Sequence, residues 1–309
     1  MTSTNEVDAS SLQASGGGED GEEAVCYLCL DGGADEQLRR DCACRGTDAG
    51  FVHLSCLTDY LATKSIRASD MTEFDKPWRE CPGCHQYYQN ELAIDIAAKF
   101  VSFVRRQYPQ DTQRQVESHH LKLDALDSMF KRLQPKQKRE YGVTANVILF
   151  LIGRMKGDAP PLPRRYSQME AFAYNTHGRI ALDEGTEESA RRAAVQFGNE
   201  LQVNEAIGDD EGIAAAKANI AYAKSKYEGN NNEELLKASQ ELYELHTAKY
   251  GKEDEYTINS GKDYAVDLQK ANRGGEARDL LTKLLITSKQ VLGPQHNTTK
   301  RVKSELERL

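Results

Sequence analysis

The seven cysteines of this 309-residue chain all fall between positions 26 and 84, and with one histidine they form four close pairs. The pairs are Cys26-Tyr-Leu-Cys29, Cys42-Ala-Cys44, His53-Leu-Ser-Cys56 and Cys81-Pro-Gly-Cys84. Thiolate and imidazole are the ligands zinc prefers, and two intervening residues let one short turn aim both members of a pair at the same tetrahedral ion. Four pairs make two closed four-ligand sites. Closed sites leave no position for a metal-bound water, so both zinc ions read as structural rather than catalytic. A disulfide framework fits less well. The cysteine count is odd, and residues 1–25 contain no apolar stretch of the kind a secretory signal needs.

The elements that must position these pairs, and the chain beyond them, can be read from the remaining pattern. Residues 1–24 are rich in Ser, Gly, Asp and Glu and are expected to form a disordered acidic tail. The zinc module occupies 25–89. Residues 90–158 form a helical segment: Leu92, Ile96, Phe100, Phe103 and Val104 recur at helical spacing up to Pro109. A second helix carries Val116, Leu123, Leu126, Met129 and Phe130, and a third runs from Pro135 to about Met155. Gly157 and Pro160-Pro-Leu-Pro163 then mark a break.

Beyond it, residues 159–309 are repetitive. Tyr250-Gly251 recurs as Leu292-Gly293 at a spacing of 42, and Ile207-Gly208 lies 43 residues upstream. Helix pairs are predicted over 211–227 with 233–249 and over 254–271 with 276–291, with a fainter pair over 166–206 turning near Gly185. A pair alone cannot bury its apolar stripe, which is the physical reason to stack repeats. Val302, Leu306 and Leu309 make one stripe on a last helix, predicted to cap the stack.

The net charge of −8 argues against a nucleic-acid surface, and the basic run Lys131–Arg139 reads as a solvated helix face. The longest apolar stretch, Val147–Ile152, is far short of the ~20 residues a membrane helix requires. These features point to a soluble chain in the reducing cytoplasm or nucleus, where thiolates survive to bind metal. No catalytic or cofactor-binding residue beyond the zinc ligands is expected. His119 and His120 are adjacent and diverge on a helix, and no Gly-rich phosphate loop precedes a helix.

Cys42-Ala-Cys44-Arg-Gly46 followed by Phe51-Val-His53-Leu-Ser-Cys56-Leu57 resembles the middle signature of the RING-CH variant of the RING finger, found in many membrane-associated ubiquitin ligases. The resemblance implies that Cys26, Cys29, His53 and Cys56 hold one zinc, and that Cys42, Cys44, Cys81 and Cys84 hold the other in a cross-brace. A PHD finger uses the same ligand order. It usually keeps the fourth and fifth ligands closer than Cys44 and His53 are here, and places its Trp nearer the seventh ligand than Trp78 is to Cys81.

The RING resemblance implies a ubiquitin-protein transferase of the ubiquitin-conjugation pathway that recruits a ubiquitin-conjugating enzyme and positions its thioester without a covalent step of its own. With every cysteine committed to zinc, none remains to carry ubiquitin. By matching position the docking groove would use Leu28 and Pro82, with Tyr60 standing where the family commonly has Trp, and Trp78 compensating. Tyr60 and Trp78 read equally well as module core. His85 follows the last cysteine where active RING ligases often carry a basic residue.

Leu292-Gly-Pro-Gln-His296 with Thr298-Thr299, and Tyr250-Gly251 with Thr257, are similar to kinesin-light-chain-type tetratricopeptide repeats, which implies a helical surface that selects a protein substrate or adaptor. The expected fold is therefore mainly α: a small two-zinc cross-brace module followed by an α-helical, TPR-type repeat body. The competing reading is a non-enzymatic zinc-finger/TPR scaffold or PHD-like reader.

Overall fold

The structure, a computed structural model, describes residues 24–39, 51–158, 162–228 and 232–309. Two short strands and twelve α-helices lie among the described residues. The chain divides into two compact units, residues 1–100 and 101–309.

In the first unit β1 (Leu38–Arg39) pairs antiparallel with β2 (Val52–His53), setting Leu38 opposite His53 and Arg39 opposite Val52. Helix α1 (Leu54–Ile66) leaves β2 directly and packs on α2 (Met71–Arg79). Asp70 caps α2 by accepting from the Glu73 N–H at 2.8 Å, while the Ser69 N–H and hydroxyl donate back to Glu73. This is the reciprocal logic of a capping box. Leu57 and Leu61 from α1, Phe74 and Trp78 from α2, and Leu92, Ile96 and Phe100 from the start of α3 (Asn90–Gln107) are all buried.

Trp78 corrects one expectation. It is 2% exposed, its ring stacks on Phe100 at 4.8 Å, and its indole N–H donates to the Ser65 hydroxyl at 2.7 Å. Ser65 in turn donates to the Phe74 carbonyl. The polar tip of Trp78 is satisfied inside the unit, so the ring is core and offers a partner no surface. Between Cys56 and Cys81 the sequence carries no ligand. That segment folds into two helices that need a large side chain between them.

The second unit is a succession of helices, each packed on the next: α4 (Thr112–Ser128), α5 (Pro135–Asp158), α6 (Arg164–Asp183), α7 (Glu187–Ile207), α8 (Asp210–Lys224), α9 (Asn232–Tyr250), α10 (Glu255–Lys270), α11 (Gly274–Val291) and α12 (Asn297–Arg308). Nearest-neighbour packing of this kind is the mark of a repeat array. The 42-residue register recurs in atoms as well as in letters. Thr257 donates through Oγ1 to the His246 carbonyl at 3.0 Å, and Thr299 repeats the bond to the Ser288 carbonyl at 3.2 Å. The glycines that mark the register, Gly208, Gly251 and Gly293, all follow a helix with positive φ, where glycine carries the least steric penalty.

Helix α12 packs on α10 and α11, and Val302, fully buried, joins the cluster of Ile258, Leu281 and Leu284, with Leu306 and Leu309 against it. Removing residues 297–309 should lower the melting temperature of the chain and promote aggregation. Val302 alone accounts for about 1.5 kcal/mol of lost burial. An unchanged melting curve would show that α12 caps nothing.

Glu200 of α7 is 6% exposed, and both its carboxylate oxygens accept from the Asn175 side-chain amide, at 3.0 and 3.2 Å. Burial raises its pKa to about 7, and the Asn175 bonds only partly offset this. Between about pH 4.5 and 7 the unfolded chain releases this proton while the folded chain keeps it, so stability falls as pH rises through that window. Glu200→Gln should therefore stabilise the protein at pH 8 by on the order of 2–3 kcal/mol and have little effect at pH 4. Thermal melts at the two pH values test this; a pH-independent difference would contradict it.

Candidate metal centre

The first pair of cysteines sits on a tight turn. Leu30 donates its N–H to the Cys26 carbonyl at 2.8 Å, and Cys26 donates its own to the Asp31 carbonyl at 2.8 Å. The fourth pair repeats the arrangement: the His85 N–H donates to the Cys81 carbonyl and the Cys81 N–H to the Gln86 carbonyl, both at 2.9 Å. In each turn the residue four positions after the first cysteine is left-handed, Leu30 at φ 67° and His85 at φ 57°. That conformation costs a residue with a side chain about 1–2 kcal/mol, so two separate turns adopt one strained geometry. The strain is accounted for if each turn presents two sulphurs to a metal.

At the first turn the partners are in place. The ligand atoms of Cys26, Cys29, His53 and Cys56 all lie within 4.8 Å of one another. His53 Nδ1 is 3.4 Å from Cys29 Sγ and 3.8 Å from Cys56 Sγ. Zinc bonds of about 2.3 Å to sulphur and about 2.0 Å to nitrogen give tetrahedral edges of about 3.5–3.8 Å, so these residues fit that ion. The second ring nitrogen of His53, Nε2, lies 2.9 Å from the Gly32 carbonyl. A carbonyl can only accept, so this bond places the proton on Nε2 and leaves the Nδ1 lone pair for metal. The His53 backbone N–H points at Cys26 Sγ at 3.5 Å, as a donor to a thiolate would.

The thiols are not equivalent. Burial opposes ionisation of Cys26, but the backbone N–H groups of His53, Cys29 and Leu28 outweigh it and bring the thiol down to about 7. At Cys29 the Asp31 N–H favours the thiolate, yet burial and the neighbouring sulphurs of Cys26 and Cys56 push the thiol up to about 11. One thiolate thus forbids the next unless a cation joins them.

The sequence placed all four of these residues among the ligands. It missed Gly32, whose carbonyl orients His53, and Glu36, whose carboxylate accepts from the N–H and hydroxyl of Ser55. Both act through space from a loop with no ligand-type spacing, so no pattern marks them. The Ser55 hydroxyl first, and the Ser55 N–H with it, hold the Glu36 carboxyl below the usual carboxylate range. Cys42 and Cys44 lie outside the described residues; Cys81 is buried and Cys84 half-buried. Of the proposed groove residues, Leu28, Tyr60 and Pro82 are half-buried, and Lys64 Nζ stands 5.3 Å from the Tyr60 ring centre.

Residues 26–84 match the family model described as the RING-variant domain. They are a RING-variant domain. No relative among curated proteins matches the chain. In structure the chain is similar to a Podosopora anserina protein described as a putative kinesin light chain with nearly identical TPR-like repeats. That match has 10% sequence identity, covers 77% of this chain and 95% of that one, and has a TM-score of 0.43. A single-substitution form of the same protein gives 0.44 with the same identity and coverage. Among the described residues no helix is long and apolar enough to cross a membrane.

His53→Ala should remove one ligand and the Gly32 bond together, so the variant should lose metal to a chelator that leaves the wild type loaded. His53→Cys restores a ligand without that bond and should retain metal better than His53→Ala. Equal retention by all three proteins would remove His53 from the site.

Proposed function

We propose that the RING-variant module binds two structural zinc ions and recruits a ubiquitin-conjugating enzyme, holding its ubiquitin thioester in a reactive pose for transfer to a protein bound on the helical body. The observation that supports this most is the recurrence of one strained turn at Cys26 and at Cys81. Between its two cysteines each carries a half-buried apolar residue, Leu28 in one and Pro82 in the other. Around them the unit leaves large apolar side chains uncovered: Val25, Tyr27, Leu30 and Tyr87 are 40%, 39%, 74% and 67% exposed. Exposed apolar groups flanking the two turns suit a protein partner better than a small substrate.

In this reading Cys26, Cys29, His53 and Cys56 hold one zinc, and Cys42, Cys44, Cys81 and Cys84 hold the other. The ions supply rigidity and no chemistry, because four protein ligands close each of them. The residues accelerate transfer by orientation: they fix a flexible thioester-bearing partner so that attack by a substrate amine needs little further ordering. Leu28, Pro82 and Tyr60 are the contacts, and Trp78 supports them from the core.

Substrate or adaptor binding falls to the helical unit. A cleft of about 450 Å³ there lies between α5, α6 and α7, lined by Asn146, Leu149, Tyr174, His177, Gln196 and Asn199 among others. Its mix of amides, a phenol and aliphatic groups suits a peptide segment, which brings both hydrogen-bonding and apolar groups.

Leu28→Ala should abolish or sharply reduce ubiquitin discharge from a charged conjugating enzyme, since truncating an interface anchor commonly costs ~2 kcal/mol or more. Zinc content should be unchanged. If the wild type supports no discharge with any conjugating enzyme of a broad panel, the non-enzymatic scaffold reading replaces this one. If Leu28→Ala loses zinc, Leu28 is core and the groove is misplaced.

A further inference from the structure

Cys56 is the third residue of α1, and His53 directly precedes that helix. The direction of the first turn of α1 therefore decides whether these two ligands meet Cys26 and Cys29. The helix begins with little help of its own. Its N-cap is His53, whose side chain makes no capping bond, and no acidic residue lies in its first turn. The first N–H groups of any helix are orphan donors at its positive end, and they need an acceptor from somewhere.

Here the acceptor comes from outside the helix. Glu36 Oε1 accepts from the Ser55 N–H at 3.0 Å, and Oε2 accepts from the Ser55 hydroxyl. Glu36 is half-buried in the loop between the first cysteine turn and β1. That same loop supplies the Gly32 carbonyl that meets His53 Nε2. One loop that contains no ligand thus grips both halves of the third pair, His53 through Gly32 and the helix bearing Cys56 through Glu36. The loop is also tied at both ends, by the Cys26 turn through the Asp31 carbonyl and by the pairing of Leu38 with His53.

We infer that Glu36 is a positioning residue for the first metal site, its carboxylate capping α1 across the chain and setting the angle at which His53 and Cys56 close on Cys26 and Cys29. This rests on the zinc reading of those four residues. A cap that served the helix alone would weaken the module as a whole, whereas a positioning residue weakens one site before the other. Outer-shell partners of metal ligands typically matter by about 10- to 100-fold in metal affinity.

The test is cadmium-113 NMR of the full chain under a rising concentration of chelator. A site of three sulphurs and one nitrogen resonates apart from a site of four sulphurs, so the two are followed separately. Glu36→Ala should surrender the three-sulphur resonance at about 10- to 100-fold less chelator than the wild type, with the four-sulphur resonance unmoved. Glu36→Gln, which keeps an acceptor for the Ser55 N–H, should recover much of the difference. Equal retention in Glu36→Ala and wild type overturns the inference, and so does simultaneous loss of both resonances. A wild type with only the three-sulphur resonance would defeat the two-zinc reading while leaving the role of Glu36 decided by the same comparison. A wild type lacking that resonance would defeat both.

Discussion

Three sulphurs and an imidazole nitrogen held within 4.8 Å of one another are a favourable arrangement only around a cation. Without one, the thiolate at Cys26 and the raised thiol at Cys29 show the conflict directly, because ionising the first discourages the second. With a divalent ion the same crowding becomes four bonds. Among the described residues of the first unit the two strands are two residues each, and the remaining packing rests on α1, α2 and the first turns of α3. A structural zinc contributes roughly 10–16 kcal/mol of apparent binding energy in small modules, enough to offset two left-handed side-chain-bearing residues and the ordering of the loops around them.

Cys26 and Cys81 open turns of one shape, and Leu28 and Pro82 lie within those turns. The helix that carries Cys56 continues as α1 into the core under Trp78, so the ligand turn and the apolar core share one element. The helical unit obeys a different rule. No single interaction organises it; each helix buries its stripe against the next, and α12 covers the last.

Much of this was legible because it is periodic or chemically singular. Cysteines restricted to one window leave few readings, and glycines 42 and 43 residues apart locate the turns of the helical unit, since a left-handed residue must follow each helix there. What was not legible acts through space or defies local preference. Leu30 and His85 occupy backbone regions where glycine would be the natural choice, so neither letter announces its conformation. Gly32 and Glu36 carry no ligand spacing, yet they orient the ligand turn. Trp78 looked as fit for a surface as for a core until α2 was seen to fold against α1. Glu200 reads as an ordinary solvated acid on a helix, and only the packing of α6 on α7 buries it beside Asn175.

Dependence of the first unit on metal is tested most directly by native mass spectrometry of the intact chain, with the metal load compared before and after chelation and against the backbone signal of that unit. Two zinc ions per chain are predicted, with chelation unfolding residues 26–84 and leaving the helical unit folded. A single ion, or a first unit that stays folded without metal, would contradict this.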